Sequence, residues 1–291
     1  MELGVHYANF SYPSWETRLT DHLVATAQAA EAGGAELFTV MDHWFQMENL
    51  GGPPEPMLEA YATLAHLAAV TDRIRLSALV TGGTYRHPGL LAKTVTTLDR
   101  LSGGRALLGL GAGWYEREHL GLGVPFPAMA ERFERLEEIL QICLQMWSDE
   151  DGPYDGRHFQ LAETVCVPPP LAEPHPPVMI GGAGERKTLR MVADYAQWCN
   201  IFGESPEVME HKLSVLRGHC ETAGTDYDAI RKTMITAVDP LEDPDGFVAL
   251  MGEYAALGIT LVTLTPHGND PVVWTERVCA EVLPALQELG A

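Results

Sequence analysis

Eight times along its length the chain alternates a short run of β-branched and aliphatic residues with a run whose apolar residues recur at helical spacing. That rhythm constrains the fold more than any single motif. The strands are expected at residues 3–8, 37–41, 74–80, 106–110, 178–180, 198–202, 233–238 and 259–264. The helices are expected at 17–32, 57–70, 88–101, 128–147, 186–194, 206–223, 244–256 and 271–289. Gly33-Gly34 stops the first helix, and Pro88, Pro206, Pro244 and Pro271 start later ones. Eight β–α units in 291 residues point to an α/β fold, a closed (β/α)8 TIM barrel forming one domain over 1–291. One stretch breaks the rhythm. Residues 148–177 read as a small hairpin around Tyr154-Asp155-Gly156-Arg157, then a stiff crossing rich in proline. This is an insertion between the fourth helix and the fifth strand. Its length leads us to expect a lid over the site.

Charge narrows the partners. A formal net charge of -21 repels nucleic acid and anionic membrane surfaces, so neither is an expected partner. The five cysteines show neither C-x-x-C nor zinc-ligand spacing and read as free thiols of a reducing cytosol. No basic segment followed by an apolar run opens the sequence, and no apolar stretch is long enough to span a bilayer. A cytoplasmic protein acting on a small molecule is expected.

In such a barrel the chemistry sits at the C-terminal ends of the strands. The second strand runs into Asp42-His43-Trp44. A histidine there suits proton transfer or charge stabilisation; the plainer alternative is an imidazole satisfied by local hydrogen bonds. The third ends at Ala78-Leu79-Val80-Thr81-Gly82-Gly83-Thr84, where glycines permit close approach of a ligand or simply form a loop. The fourth ends at Gly109-Leu110-Gly111-Ala112-Gly113-Trp114. This is not the dinucleotide fingerprint. It leaves room for a flat ring or a sugar chain, or else for tight packing at the rim. The fifth ends at Gly181-Gly182-Ala183-Gly184, followed by Glu185-Arg186-Lys187 at a helix start. Free N–H groups and two cations make an anion site that overrides the acidic field locally; the alternative is a turn with a solvated Arg-Lys pair. No glycine precedes Lys187, so a P-loop is rejected. No metal is expected either: His6 stands alone on the first strand, and Glu116 with His119 has E-x-x-H spacing but no partner motif.

Taken together these stretches resemble one family. The chain is similar to the luciferase-like monooxygenase superfamily, and most closely to its branch using the deazaflavin coenzyme F420. The resemblance is carried by Val40-Met41-Asp42-His43-Trp44, by the run 81–88, by 93–114 with its Leu98-Asp99-Arg100-Leu101-Ser102-Gly103-Gly104-Arg105 core, and by the turn 181–184. It covers nearly the whole chain.

The resemblance implies roles. His43 would stand beside the deazaflavin ring, Asp42 would contact it, and Trp44 would shape the substrate side. Ala78-Leu79 would form the bulge, often a non-proline cis peptide, behind the ring, with Thr81 next to it. Ala112, Gly113 and Trp114 would wall the ring, and Gly181, Gly182, Ala183, Gly184, Glu185, Arg186 and Lys187 would cradle its phosphate. A sugar-phosphate dehydrogenase of the family carries a glutamate where this chain has Trp114, so that activity is not expected. Glu116 or Glu118 would then supply a carboxylate, with Glu116 preferred as catalytic. The implied function is hydride transfer between F420 and a small organic substrate, by a homodimer. The alternatives are an FMN-dependent monooxygenase and a non-catalytic flavin-binding protein. The aromatic residues Phe10, Tyr12, Trp15, Trp44, Trp114 and Tyr115 are candidates for an apolar substrate pocket.

Overall fold

The strands are apolar almost end to end because both their faces are covered, by side chains inside and by helices outside. β1 (Glu2–Tyr7) is buried at every position but its first. It pairs in parallel with β2 (Leu37–Val40) on one side and β8 (Ile259–Leu264) on the other, Val5 lying opposite Phe38 and Leu264. The parallel pairing continues from β2 to β3 (Arg75–Ala78). From β8 it runs through β7 (Arg231–Thr236), β6 (Trp198–Phe202) and β5 (Val178–Gly181) to β4 (Leu108–Gly111). A bridge between Leu76 and Ala106 closes the ring between β3 and β4. A two-residue continuation of the third strand, Thr81–Gly82, pairs with Leu110 and Gly111. The fold is therefore the expected (β/α)8 barrel. The computed structural model describes residues 1–289.

The helices that follow β1 to β8 are α1 (Trp15–Ala32), α2 (Ala60–Ala68), α3 (Pro88–Ser102), α4 (Met129–Met146), α5 (Thr188–Tyr195), α6 (Pro206–Ala223), α7 (Pro244–Ala256) and α8 (Pro271–Glu281). Caps set their bounds. Ser205 accepts from Val208 N at 3.4 Å with Pro206 at the first position of α6, and Gly224 ends that helix in the left-handed conformation. Three expectations need correction. The run 271–289 is not one helix: Pro284 lacks the N–H that Ala280 would need, so α8 stops at Glu281 and a second helix covers Leu283–Glu288. The third strand stops at Ala78, and the following chain turns through a cis peptide between Leu79 and Val80. An additional seven-residue helix, Glu116–Leu122, was too short to show a helical period.

The insertion contains the expected hairpin, Tyr154–Asp155 paired with Gln160–Leu161. It is not a lid. Glu138 on α4 accepts from the N–H groups of Arg157 (2.8 Å), His158 (3.0 Å) and Phe159 (2.9 Å). Asp99 on α3 accepts from those of Leu171 (2.6 Å) and Ala172 (3.0 Å). The segment lies along the outer sides of α3 and α4, and none of its residues lines the central cavity. The run 93–114 is largely architectural too. Arg105 donates to the carbonyls of Ala68, Thr71, Ile74 and Ser102 at 2.7–3.0 Å, locking the turn before β3 to the turn before β4. Inside the barrel, Leu37, Leu107, Met179, Trp198 and Leu261 pack into an apolar plug. The cavity lies above it.

Candidate active site

The cavity opens at the C-terminal ends of the strands, encloses about 360 Å³ and is walled mainly by apolar atoms. Its polar groups come from a few strand tips. His43 follows β2 with its side chain 11% exposed, and its Nδ1 lies 2.7 Å from Glu118 Oε1. Glu118 is fully buried on the short helix. It also accepts from the N–H groups of Trp44 (2.7 Å) and Phe45 (3.2 Å) and from the hydroxyl of Tyr85. Four donors thus converge on one carboxylate. The rings of Trp114 and Tyr115 meet His43 edge-on at 5.5 and 5.7 Å. The second ring nitrogen of His43 has no partner among the described residues, and the side chain lines the cavity.

Asp42 lines the same wall, but its carboxylate is engaged. Oδ2 accepts from Arg86 at 2.6 Å and from Gly82 N at 3.0 Å, and Oδ1 accepts from the other Arg86 nitrogen at 2.8 Å. Arg86 also pairs with Glu59 and lies over the Tyr61 ring. Burial works against the charge on Arg86, yet the hydrogen bonds to Asp42 win and hold its guanidinium above its ordinary value. Thr81 is tied to Tyr61 through a 2.7 Å hydroxyl contact. His6, on β1, faces the cavity with Nδ1 2.8 Å from Thr39 Oγ1. Burial, helped by the nearby His43, pushes the His6 imidazole down to about 4, so it is neutral near pH 7.

Across the mouth, β5 ends at Gly181 and Gly182. Gly182 has φ +114°, a conformation that disfavours any side chain. Its N–H is used by Asn200 O at 2.9 Å. Among the described residues the N–H groups of Ala183, Gly184, Glu185 and Arg186 have no acceptor. Glu185 turns away, its carboxylate 2.5 Å from Lys212 on α6 and held below the usual carboxylate range by that contact. Arg186 and Lys187 are exposed at the rim.

Of the residues expected from sequence, Asp42, His43, Leu79, Thr81, Ala112, Gly113, Trp114, Gly181 and Gly182 line one cavity. Others do not. Ala78 is buried within β3, because the bulge falls one residue later, at Leu79 and Val80. Trp44 turns its ring onto Tyr85, with centroids 4.3 Å apart. Glu116 is exposed on the first turn of the short helix, and the carboxylate beside His43 is Glu118. His119 is satisfied by Thr84 Oγ1 and Tyr115 O, both at 2.7 Å. Residues 183–187 lie at the rim beyond the lining. Phe10 and Tyr12 belong to the core, whereas Phe202, exposed at 67%, flanks the cavity mouth with Trp114. His6 and Asn200 were missed as lining residues; a polar side chain inside an apolar strand was the available signal.

The comparisons agree with the fold. The sequence matches the family described as luciferase-like monooxygenase over residues 1–260. An F420-dependent glucose-6-phosphate dehydrogenase of Kineococcus radiotolerans is 30% identical over 235 residues, 80% of this chain and 68% of that protein. An FMNH(2)-dependent dimethylsulfone monooxygenase of Pseudomonas putida is 27% identical over 163 residues, 56% of this chain and 44% of that protein. Coenzyme F420-dependent tetrahydromethanopterin reductase from Methanopyrus kandleri shares the fold, with TM-score 0.79 at 19% identity over 98% of this chain and 99% of that one. No described helix is long and apolar enough to cross a membrane. With a barrel of the right topology, and a family match that spans β1 to β7 and reaches the start of β8, the chain belongs to the luciferase-like monooxygenase family.

Proposed function

We propose that the protein is an F420-dependent oxidoreductase that passes a hydride between the deazaflavin and a small organic substrate. One observation carries this reading: a single cavity joins His43 to the glycine turn at Gly182 across the barrel mouth. The residues fit the group. Unpaired N–H groups at 183–186, with Arg186 and Lys187 beside them, suit a phosphate. Val80 sits between Gly111 and Gly181, where an added Cβ would meet it at 2.8 Å, and makes an apolar buttress for a planar ring. The relative that uses F420 covers more of the chain, at higher identity, than the one that uses FMNH(2).

When bound, the deazaflavin would supply a carbon centre that gives or takes a single hydride. The chain's own residues orient it, exclude water with Met41, Met47 and Leu79, and offer His43 as the group that holds or moves a proton. We take the working unit to be a one-domain, cytoplasmic homodimer. Titrating purified protein with F420 and with FMN tests the cofactor. F420 should bind, and His43→Ala should then lower turnover by about 100-fold or more with cofactor affinity little changed. Tight binding of FMN alone overturns the cofactor reading, and turnover indifferent to His43→Ala overturns the catalytic one.

A further inference from the structure

Glu118 is the most heavily solicited side chain around the cavity, and it touches neither the cavity nor any cation. Its carboxylate is completely buried, and among the described residues it is not paired with Lys or Arg. Burying such a group is costly unless every lone pair is used. Here they are used: Oε2 takes two backbone N–H groups, from Trp44 and Phe45, and Oε1 takes Tyr85 OH and His43 Nδ1. The two N–H bonds fix the loop that carries His43. The remaining bond fixes the ring itself.

We infer that Glu118 is a positioning residue that locks His43 in the Nδ1–H form, so that Nε2 presents a lone pair to the cavity. An ionised carboxylate only accepts, so the nitrogen 2.7 Å from it must donate. The neutral imidazole has one proton to place, and placing it on Nδ1 leaves Nε2 bare. The groups packed around the ring do not compete for that proton. Trp114 and Tyr115 meet the ring in T-shaped contacts, and the Tyr115 hydroxyl is turned toward Gln46 O (3.3 Å) and Glu48 (3.1 Å). Tyr85 is spent on Glu118, and His6 is engaged with Thr39. In its neutral form His43 therefore meets a ligand as a hydrogen-bond acceptor. It takes a proton at Nε2, and the resulting imidazolium keeps its Nδ1–H on Glu118; the same proton returns from Nε2 in the reverse direction. The partner that fits is a group bearing a transferable proton on oxygen or nitrogen, next to the carbon that loses the hydride. This assignment of the substrate's chemistry rests on the oxidoreductase reading above, whereas the state of the imidazole does not.

NMR of protein carrying isotope-labelled histidine, without cofactor and at alkaline pH, reads the imidazole directly. The His43 resonance, assigned by its loss in His43→Asn, should show a protonated Nδ1 and a bare Nε2, the reverse of the form free imidazole prefers. Glu118→Gln should lose that signature, and Tyr85→Phe, which keeps the carboxylate, should retain it. An Nε2–H ring in the wild type overturns the inference without recourse to any variant, as does an unchanged ring in Glu118→Gln. With F420 present, Glu118→Gln should lower turnover at least about 10-fold while the cofactor Kd stays within about two-fold. Failure of the wild type to bind F420 would sink the proposed function and leave the NMR result standing.

Discussion

The two sides of the cavity are built on opposite plans. On the wall around the tip of β2, the two buried carboxylates are already engaged: Asp42 with Arg86, and Glu118, from the short helix after β4, with His43, Tyr85 and two N–H groups. At the turn after β5, a run of N–H groups stands without acceptors among the described residues, and Arg186 and Lys187 face solvent. The first side is organised before any ligand arrives, and its hydrogen bonds belong to the stability of the fold. The second keeps its donors free, so the phosphate binding proposed for it would lie outside the fold's own energetics. Mutations on the two sides should therefore move different quantities, stability on one and affinity on the other.

The largest effect is expected at Arg86. Replacing it with methionine leaves the Asp42 carboxylate, whose side chain has no exposed surface, with only the Gly82 N–H. Breaking a buried pair by removing one partner costs about 3–5 kcal/mol, because the surviving charge stays desolvated. Urea denaturation of Arg86→Met should show that loss, and adding Asp42→Asn should recover part of it. A change below about 1 kcal/mol in Arg86→Met would mean that the wall is not held by this pair, and the contrast would fail.

His6 sharpens the same contrast through pH. Its imidazole stays neutral in the fold until about pH 4, against 6.5 in the unfolded chain. Between those values the unfolded state holds a proton that the folded state lacks. Stability thus falls as pH drops from about 6.5 to about 4, and this group adds nothing further below that. A gap of two to three units corresponds to roughly 3 kcal/mol by the acid end. His6→Gln removes the titrating ring, so its stability should fall less steeply across this window than that of the wild type. Parallel curves for the two proteins would show that His6 is not held neutral.

How these features were written in the sequence differs from one to the next. The barrel was legible because strand and helix periods repeat over many residues, and the bounds of α6, α7, β6 and β8 follow from proline starts and apolar runs. Asp42 and His43 were legible because two polar residues closed an apolar strand. Glu118 was not separable from Glu116. Both lie on a seven-residue helix, and which one turns inward depends on how the loop after β4 meets the loop after β2. Arg86 was legible only as part of a motif, since its partner is 44 residues away. The insertion misled because a long loop in sequence carries no information about which flank it follows. Asp99 and Glu138, the carboxylates that strap it down, look like ordinary charges on helices.

The smallest stability effect, and the one that tests the other side of the comparison, is expected from Arg186→Ala with Lys187→Ala. Both side chains are exposed, and neither forms an ion pair among the described residues; Lys187 lies 5.3 Å from the Phe133 ring. Their removal should change unfolding free energy by no more than about 0.5 kcal/mol, the usual scale for surface positions. Binding of F420 should weaken several-fold, and its dependence on salt should flatten, because exposed charges act through a screened field. Titrations at low and high ionic strength read both. If the double variant instead unfolded more readily and bound F420 as before, the turn would be part of the scaffold, and the two sides of the cavity would not differ in kind.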